Sequence, residues 1–280
     1  EKIPNNCKDD LKLPDVRLLR PKTLVIHDNV KKEIFFIINI FKDEKIKDYH
    51  QKYEEIKADI FRLFIQSSIK ILKKNENFFS KNIKVKSNIP KSKFISMVNK
   101  AKKYIKLGDI FQVVLSQRFE TNLNKKPLDI YKKLRITNPS PFMFYFNFND
   151  FQIIGASPEI LVRLRDNKIT VRPIAGTRPR GKTHKEDQFY KKDLLKDKKE
   201  LAEHLMLLDL GRNDAGKVSK INSVKVTESF IIEKYSHVMH IVSNVIGEYD
   251  KRFSKFKSLL AGFPAGTVSG APKIRAMEII

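Results

Sequence analysis

Two glutamates three residues apart could hold a metal ion. A helix places Glu200 and Glu203 on one face, and Mg²⁺ commonly binds through only one or two protein carboxylates. A solvated Glu/Lys face would show the same spacing. The leucines at positions 201, 205 and 208 form an apolar stripe beside the pair. This stripe favours a metal site at the edge of a buried surface.

A run of small residues before a proline could receive an anion. The segment 263–273 contains Gly266, Thr267, Ser269 and Gly270 just ahead of a proline that suits the first turn of a helix. Free backbone N–H groups and two hydroxyls would then point at one spot, where a carboxylate or phosphate is stabilised. An ordinary glycine-rich helix entry is the alternative. The combination of two glycines with two hydroxyl residues favours the anion site.

Two histidines, His237 and His240, would suit a metal only on a helix. The segment Val238–Ile246 has the pattern of a strand, which sends the two rings to opposite faces. No third soft ligand is within sequence reach, so we do not expect zinc. A histidine on a half-buried strand is more often part of the core. As a general base, His240 would need a neighbouring carboxylate.

Residues 176–183 match the phosphate-loop pattern G-x-x-x-x-G-K-[ST] letter for letter. Such a loop gives successive backbone N–H groups to phosphate, and Pro179 removes one of them. The preceding segment alternates polar and apolar residues, and the segment 184–188 is wholly polar, unlike the buried neighbours of such loops. A phosphate-loop NTPase therefore stays a weak alternative at this point.

The elements that must position these residues follow from hydrophobic periodicity. We predict an amphipathic helix from Asp48 to about Lys74 and a second helix after Pro90 that stops at Gly108. Further helices are predicted at 187–208, at 253–261 and after Pro272. Strands are predicted at 24–26, 34–41, 110–119, 142–148, 153–162, 168–173, 224–226 and 238–246. Strand runs interrupted by helices, without strict βαβ alternation, indicate an α+β fold.

Composition limits the class of protein. The 280 residues carry a net charge of +24 and one cysteine, Cys7, which excludes an internal disulfide. No apolar run approaches the ~20 residues of a membrane span, and the first residues are too polar for a signal peptide. We therefore expect a soluble cytoplasmic protein. The lysines are scattered through every segment, which favours a solvated surface over nucleic-acid binding. They would still steer an anionic small substrate.

From about Leu13 to its last residue, the chain resembles the chorismate-utilising enzymes, and among them the catalytic component (component I) of anthranilate synthase. Seven ordered stretches carry the resemblance: 108–118, 138–143, 155–159, 172–181, 203–214, 235–244 and 263–278. They account for the loop at 176–183, which removes the support for an NTPase. The resemblance implies an α+β fold of antiparallel β-sheets packed as a sandwich, with surrounding helices and the active site in the crevice between them.

The resemblance also implies an activity. Chorismate, a dicarboxylate, binds with Mg²⁺, and ammonia attacks its ring as a hydroxyl leaves. Pyruvate is then eliminated from the aminodeoxyisochorismate to give anthranilate, the first step of tryptophan biosynthesis. Ammonia would come from a glutamine amidotransferase subunit, since nothing in the chain resembles a glutaminase cysteine. Tryptophan is a possible feedback inhibitor, and neither nucleic acid nor a membrane is expected as a partner.

Individual residues match the family's functional positions. Glu159 matches the acid that protonates the departing hydroxyl, His240 the histidine linked to pyruvate elimination, and Thr267 a position in the catalytic set. Glu203 matches a Mg²⁺ ligand, and Glu200 a second carboxylate near the ion. The expected substrate-binding residues are Gly176, Thr177, Gly266, Ser269, Gly270 and Gln112. The stretch with Asn138, Pro141 and Met143 is similar to the element that contacts feedback tryptophan.

Two positions discriminate within the family. Isochorismate- and salicylate-forming relatives have lysine at the position of Gln112, where it activates water, and glutamine cannot act as that base. Aminodeoxychorismate synthases commonly have lysine at the position of Ala175. Anthranilate synthase is therefore favoured, and 4-amino-4-deoxychorismate synthase component I is the alternative.

The resemblance leaves family elements outside the chain at both ends. We expect residues 1–46 to be the end of the N-terminal regulatory region, with linker and strands. We expect residues 47–280 to be the chorismate-binding catalytic domain, incomplete at its C-terminus. The family's Leu-Leu-Glu-Ser element would lie upstream, and its late tyrosine, arginine, glycine loop and second Mg²⁺ carboxylate beyond Ile280. We therefore expect the parent protein to be active and residues 1–280 alone to be inactive.

Overall fold

The computed structural model describes residues 3, 7–41, 48–68, 83–123 and 125–280. The chain divides into two compact units, Asn5–Lys81 and Asn82–Ile280, the latter with Glu1–Pro4. No helix in the described ranges combines the length and apolar character needed to cross a membrane. The functional division expected at residue 46 stays a prediction.

The smaller unit contains a hairpin and a helix. Strands β1 (Thr23–Asp28) and β2 (Glu33–Ile38) pair antiparallel around the turn at 29–32, where strands were predicted at 24–26 and 34–41. The Asp28 carboxylate accepts hydrogen bonds from the backbone N–H groups of the turn, which fixes the hairpin. Helix α1 spans Tyr49–Ser68 and confirms most of the predicted helix, whose end lies outside the described residues.

The larger unit contains the remaining described elements. Its strands are β3 Lys86–Ser87, β4 Gln112–Val113, β5 Phe119–Glu120, β6 Phe142–Asn147, β7 Gln152–Ser157, β8 Arg163–Arg165, β9 Lys168–Val171, β10 Ile174–Pro179, β11 Lys225–Lys234, β12 Val238–Glu248 and β13 Gly270–Ala271. Its helices are α2 Lys91–Lys106, α3 Pro127–Thr137, α4 His184–Leu194, α5 Lys198–Gly216, α6 Lys255–Gly262, α7 Gly266–Ser269 and α8 Lys273–Ile279. Antiparallel strands with segregated helices confirm the predicted α+β class.

Strand β12 organises a five-stranded antiparallel sheet. Along one edge it pairs with β11, and along the other it pairs first with β10 and then with β9, which continues to β8. The turn between β8 and β9 is Asp166-Asn167, and both residues have positive φ, as a tight hairpin requires. This register sets residues of β10 directly opposite residues of β12.

Several predicted elements differ in extent. The strand predicted over 153–162 ends at Ser157, and the separate strand β8 is the one that pairs with β9. The segment predicted as one helix over 187–208 forms α4 and α5, because the Asp197 carboxylate accepts the N–H groups of Lys199 and Glu200 and starts a new helix. The strand predicted over 110–119 was wrong in length, since only β4 and β5 pair in this stretch. The predicted strand 224–226 extends to Lys234.

Helix α5 lies across the five-stranded sheet and closes the core. Its buried residues Leu208 and Ala215 pack with Ile169 and Val245 of the sheet. A second cluster joins Leu194 at the end of α4 to Met239 and Ile241 of β12. Because one face of α5 is buried on the sheet, the side chains along its margin are held in fixed positions at the sheet surface.

Candidate active site

Glu159 is a carboxyl group suited to donate a proton near neutral pH. It follows strand β7, in a turn where the Ser157 hydroxyl accepts the backbone N–H of Glu159 at 3.2 Å. Burial raises the pKa of Glu159 to about 7, while hydrogen bonds from the Thr267 side chain and the Ile174 backbone offset part of that rise. The Thr267 hydroxyl lies 3.5 Å from Glu159 Oε2. The Glu159 carboxyl group can therefore carry a proton near neutral pH.

The hydrogen-bond partners of His240 show which of its ring nitrogens carries the proton. Thr177 of β10 pairs directly with His240 of β12. His240 Nδ1 lies 3.0 Å from the Gly176 carbonyl oxygen and 3.1 Å from the Thr177 hydroxyl oxygen. A carbonyl oxygen only accepts hydrogen bonds, so this contact assigns the proton to Nδ1. Nε2 of the neutral ring then keeps a lone pair, as a general base requires.

Gly176 brings strand β10 against the start of helix α5. Its φ is +70°, and a Cβ atom there would lie 3.2 Å from Glu200 Oε2 and 3.1 Å from Leu194 Cδ1. A side chain at this position would crowd the Glu200 carboxylate and strain the backbone. Glycine at position 176 therefore allows the close approach that places Glu200 beside the strand of Thr177.

Glu203 receives a hydrogen bond from the opposite side of the site. Gln112 Nε2 donates to Glu203 Oε1 at 3.0 Å, across 91 residues of sequence. Gln112 Oε1 is buried and has no hydrogen-bond partner among the described residues. An unpaired buried acceptor is costly in a folded protein. The Gln112 Oε1 atom is therefore a place where a further hydrogen-bond donor could bind.

The two carboxylates fit a hard divalent cation. Glu200 and Glu203 are both half-buried on α5, one turn apart. No cluster of three or more histidine, cysteine, aspartate or glutamate side chains suited to a metal occurs within the described ranges. Mg²⁺ commonly takes one or two protein carboxylates and completes its shell with water or substrate oxygens. The donor set of Glu200 and Glu203 matches that requirement, and it does not match zinc.

The glycine-rich segment carries Thr267 and packs tightly on strand β4. Gly270 has a φ of +136°, and a Cβ atom there would lie 2.2 Å from the Gln112 carbonyl oxygen. The Ser269 hydroxyl donates to the Ala265 carbonyl at 2.8 Å within its own turn. A Cβ atom on Gly266 would lie 2.7 Å from Leu210 Cδ1 of α5. These contacts give the segment a packing role beside the expected substrate-binding role, which stays a prediction.

Two connections bring the expected residues together. Strand β10 contacts Glu159 through the Ile174 backbone and His240 through the Gly176 carbonyl, and Gly176 leaves room for the Glu200 carboxylate beside it. On the other side, Gln112 bonds Glu203, and its strand pairs with β13, the strand that directly follows the helix of Thr267. The residues expected to act as acid, base, carboxylate pair and catalytic threonine thus belong to one continuous set of contacts: Glu159, His240, Glu200, Glu203 and Thr267.

A small cavity lies beneath Thr267. Its volume is about 40 Å³, and its lining includes Glu159, Gly266, Thr267, Leu207 and Asp214. This volume has room for about two or three water molecules. Glu203 and His240 do not belong to its lining.

The three residues expected to contact tryptophan lie on other elements. Asn138 ends helix α3, with its N–H donating to the Leu134 carbonyl at 2.8 Å, and Pro141 is exposed. Met143 lies on β6 and pairs with Ala156 of β7, the strand that leads to Glu159. Their regulatory role stays a prediction.

Two clusters of charged or polar residues have no role in the sequence-based interpretation. Lys273 Nζ lies 2.8 Å from Asp214 Oδ2, and both side chains are at most 10% exposed. This buried pair joins helix α5 to the segment that carries Thr267. A lysine that follows the run at 265–271 and one proline is the sequence signal for such an anchor. Its partner could not be identified without the fold. The second cluster surrounds Tyr235.

The fold and the site define the class of protein. The chain belongs to the family of chorismate binding enzymes, whose family model matches residues 1–280. Over 283 residues, the chain is 51% identical to "Anthranilate synthase component 1" of Cereibacter sphaeroides, a match that covers 100% of the chain and 56% of that protein. It is 45% identical to the protein of the same name from Acetivibrio thermocellus, with 57% of that protein covered.

Solved structures agree with this assignment. The crystal structure of anthranilate synthase component I from Streptococcus pneumoniae TIGR4 matches with a TM-score of 0.80 and 39% identity, over 92% of the chain and 56% of that protein. MenF, the menaquinone-specific isochorismate synthase of Escherichia coli, matches with a TM-score of 0.64 at 19% identity, which shows a shared fold alone. The predicted resemblance and fold class are confirmed. The chain spans just over half the length of these relatives.

Proposed function

We propose that the chain is the chorismate-binding part of an anthranilate synthase catalytic component. Protein of the relatives' full length, called the full-length protein below, would convert chorismate and ammonia into anthranilate and pyruvate with Mg²⁺, the first step of tryptophan biosynthesis. The observation that carries the proposal is that a proton donor, Glu159, and a proton acceptor, His240, lie in the same set of contacts as a carboxylate pair, Glu200 and Glu203.

The first step would be amination. Ammonia forms a bond to the chorismate ring as the hydroxyl leaves, and hydroxide is a poor leaving group unless it takes up a proton. Glu159 would supply that proton, since a carboxyl group with a pKa of about 7 is available as an acid at neutral pH. The Thr267 hydroxyl, 3.5 Å away, would hold the Glu159 carboxyl group in position. The released molecule is water, and the aminated ring retains its enolpyruvyl group.

The second step would be elimination. A proton leaves the ring carbon that carries the amino group, and the bond between the ring and the enolpyruvyl oxygen breaks. The ring becomes aromatic, and the enolpyruvyl fragment becomes pyruvate. His240 Nε2 would accept the proton, because Nδ1 donates to the Gly176 carbonyl and fixes the tautomer.

Glu203 and Glu200 would hold Mg²⁺. When bound, Mg²⁺ supplies a Lewis acid that orients a substrate carboxylate. The side chain of Gln112 holds the Glu203 carboxylate through the 3.0 Å hydrogen bond, and the closeness of Gly176 limits the positions open to the Glu200 carboxylate. The substrate-binding roles of Thr177, Gly266, Ser269 and Gly270, and the tryptophan-binding role of Asn138, Pro141 and Met143, belong to the same proposal.

Ammonia would be supplied by a glutamine amidotransferase subunit. Support comes from the same family resemblance and from Cys7, the one cysteine, which is exposed and lies in a polar segment. That setting does not resemble an activated thiolate nucleophile.

The test is the product formed by the full-length protein. With chorismate, ammonia and Mg²⁺ we expect fluorescent anthranilate, the ortho isomer, together with an equal amount of pyruvate. Accumulation of 4-amino-4-deoxychorismate would favour the alternative synthase and contradict the proposal. Ala175, a buried residue without an amine next to Gly176, supports the ortho product.

A further inference from the structure

Tyr235 packs edge-on against the ring of His240. The two ring centroids are 5.3 Å apart and the rings are inclined by 63°. This edge-to-face arrangement is the favoured geometry for aromatic rings. The hydrogen bond from His240 Nδ1 to the Gly176 carbonyl restrains one edge of the imidazole, but the ring can still rotate about this hydrogen bond. The Tyr235 ring limits this rotation.

The Tyr235 side chain is itself held by an ion pair. Its hydroxyl donates to Glu233 Oε2 at 2.9 Å, and the other oxygen of Glu233 accepts from Arg172 Nη2 at 2.5 Å. Glu233 lies directly opposite His240 in the β11–β12 register, so the two side chains share a face of the sheet. Burial raises the pKa of Tyr235 to about 12, with the hydrogen bond to Glu233 next in effect, so the hydroxyl stays a donor at neutral pH.

The backbone of Tyr235 is anchored as well. Its N–H donates to the Val238 carbonyl at 2.8 Å, and its carbonyl accepts from Arg180 Nη1 at 2.7 Å. Arg180 in turn pairs with the buried Asp187. Hydrogen bonds therefore hold both the backbone and the side chain of Tyr235 in place beside the His240 ring.

We propose that Tyr235, held by Glu233 and Arg172, is a positioning residue that orients the His240 ring for pyruvate elimination. This inference rests on the proposed function of His240. Tyr235 acts through the imidazole and not on the substrate. Its loss should therefore slow the elimination and spare the amination, in which Glu159 is the acid. The aminated intermediate should then accumulate relative to anthranilate.

The experiment measures this ratio in the full-length protein. Tyr235→Leu, Tyr235→Phe and a control, Tyr249→Phe, are each given chorismate, ammonia and Mg²⁺. Chromatography then quantifies chorismate consumed, intermediate and anthranilate. The control removes a phenol hydroxyl that donates to the Phe253 carbonyl, away from His240. Any general cost of losing a tyrosine hydroxyl that donates a hydrogen bond should appear in both phenylalanine variants.

We expect Tyr235→Leu to raise the ratio of intermediate to anthranilate about tenfold, since a misoriented catalytic group commonly costs that much or more. Tyr235→Phe keeps the ring but loses its hold on Glu233, so the ratio should rise in the same direction by a smaller factor. Tyr249→Phe should leave the ratio unchanged. Should the leucine variant fail to fold, the phenylalanine variant alone decides.

The inference is overturned if the variants consume chorismate more slowly but keep the wild-type ratio, which would indicate a purely structural role. That result leaves the proposed function intact. Wild-type protein that consumes chorismate without forming anthranilate would overturn both the proposed function and this inference.

Discussion

Removal of Asp214 should destabilise the protein far more than removal of a neighbouring aspartate. Asp214 Oδ2 lies 2.8 Å from Lys273 Nζ, and the two side chains are 8% and 10% exposed. Asp214→Ala would leave the Lys273 ammonium buried with one long contact, 3.4 Å to the Gly262 carbonyl. Breaking a buried ion pair from one side typically costs about 3–5 kcal/mol. We expect a loss of that size in the free energy of unfolding.

The matched control lies on the same helix. Asp209 pairs with Arg212 at 3.0 Å three residues on, but both side chains are 56% exposed. Such surface pairs contribute about 0–1 kcal/mol, so Asp209→Ala should barely change stability. Replacing both members of the buried pair, in Asp214→Ala with Lys273→Met, should cost less than Asp214→Ala alone. No buried ammonium is then left unpaired, and Lys217, which also pairs with Asp214, is exposed to solvent.

Urea denaturation of the full-length variants, followed by circular dichroism, measures these differences. The reasoning fails if Asp214→Ala matches Asp209→Ala, or if the double variant costs the sum of its two single variants. Turnover should fall in parallel, since the pair anchors the segment that carries Thr267.

Three further predictions concern the site. Glu159→Gln should reduce kcat by about 10²–10⁴-fold, because the variant lacks the acid. In the wild type, kcat/KM should fall above pH ~7, because burial raises the pKa of Glu159 to about 7 and the protonated form dominates only below that pH. A pH–rate profile that stays flat from pH 6 to 9 would contradict this. Glu203→Gln should raise the Mg²⁺ concentration needed for half-maximal turnover at least about tenfold, because the ion would lose a carboxylate ligand. A Mg²⁺ titration of the variant that matches wild type would exclude the ligand role. Gly270→Ala should cost about 1–3 kcal/mol of stability, since its Cβ would lie 2.2 Å from the Gln112 carbonyl oxygen at a φ of +136°; chemical denaturation equal to wild type would refute the packing argument.

Local signals predicted the type of element that carries Glu200 and Glu203 better than they predicted where the elements begin and end. The i, i+3 spacing of Glu200 and Glu203 correctly placed both on one helix face. Periodicity missed the break between α4 and α5, because Leu201 and Leu205 continue the apolar pattern past Asp197 and only the cap reveals the new start.

Long-range partners could not be read from the sequence. Gln112 and Glu203 are 91 residues apart, and their hydrogen bond depends on the β4–β13 pairing and on the packing of α5. The β12 register likewise decides that His240 faces Thr177, which no local pattern fixes. The expected inactivity of residues 1–280 alone, the cytoplasmic location and the amidotransferase partner stay predictions.

The central claim is that one chorismate molecule lies between Glu159 and His240 and binds the Mg²⁺ held by Glu200 and Glu203. The most direct measurement is a crystal structure of the full-length protein with Mg²⁺ and chorismate, or an unreactive analogue. We expect Mg²⁺ bound by Glu203 and Glu200, with the ring between Glu159 and His240 Nε2. A ring bound elsewhere, or Mg²⁺ held without either glutamate, would contradict the account.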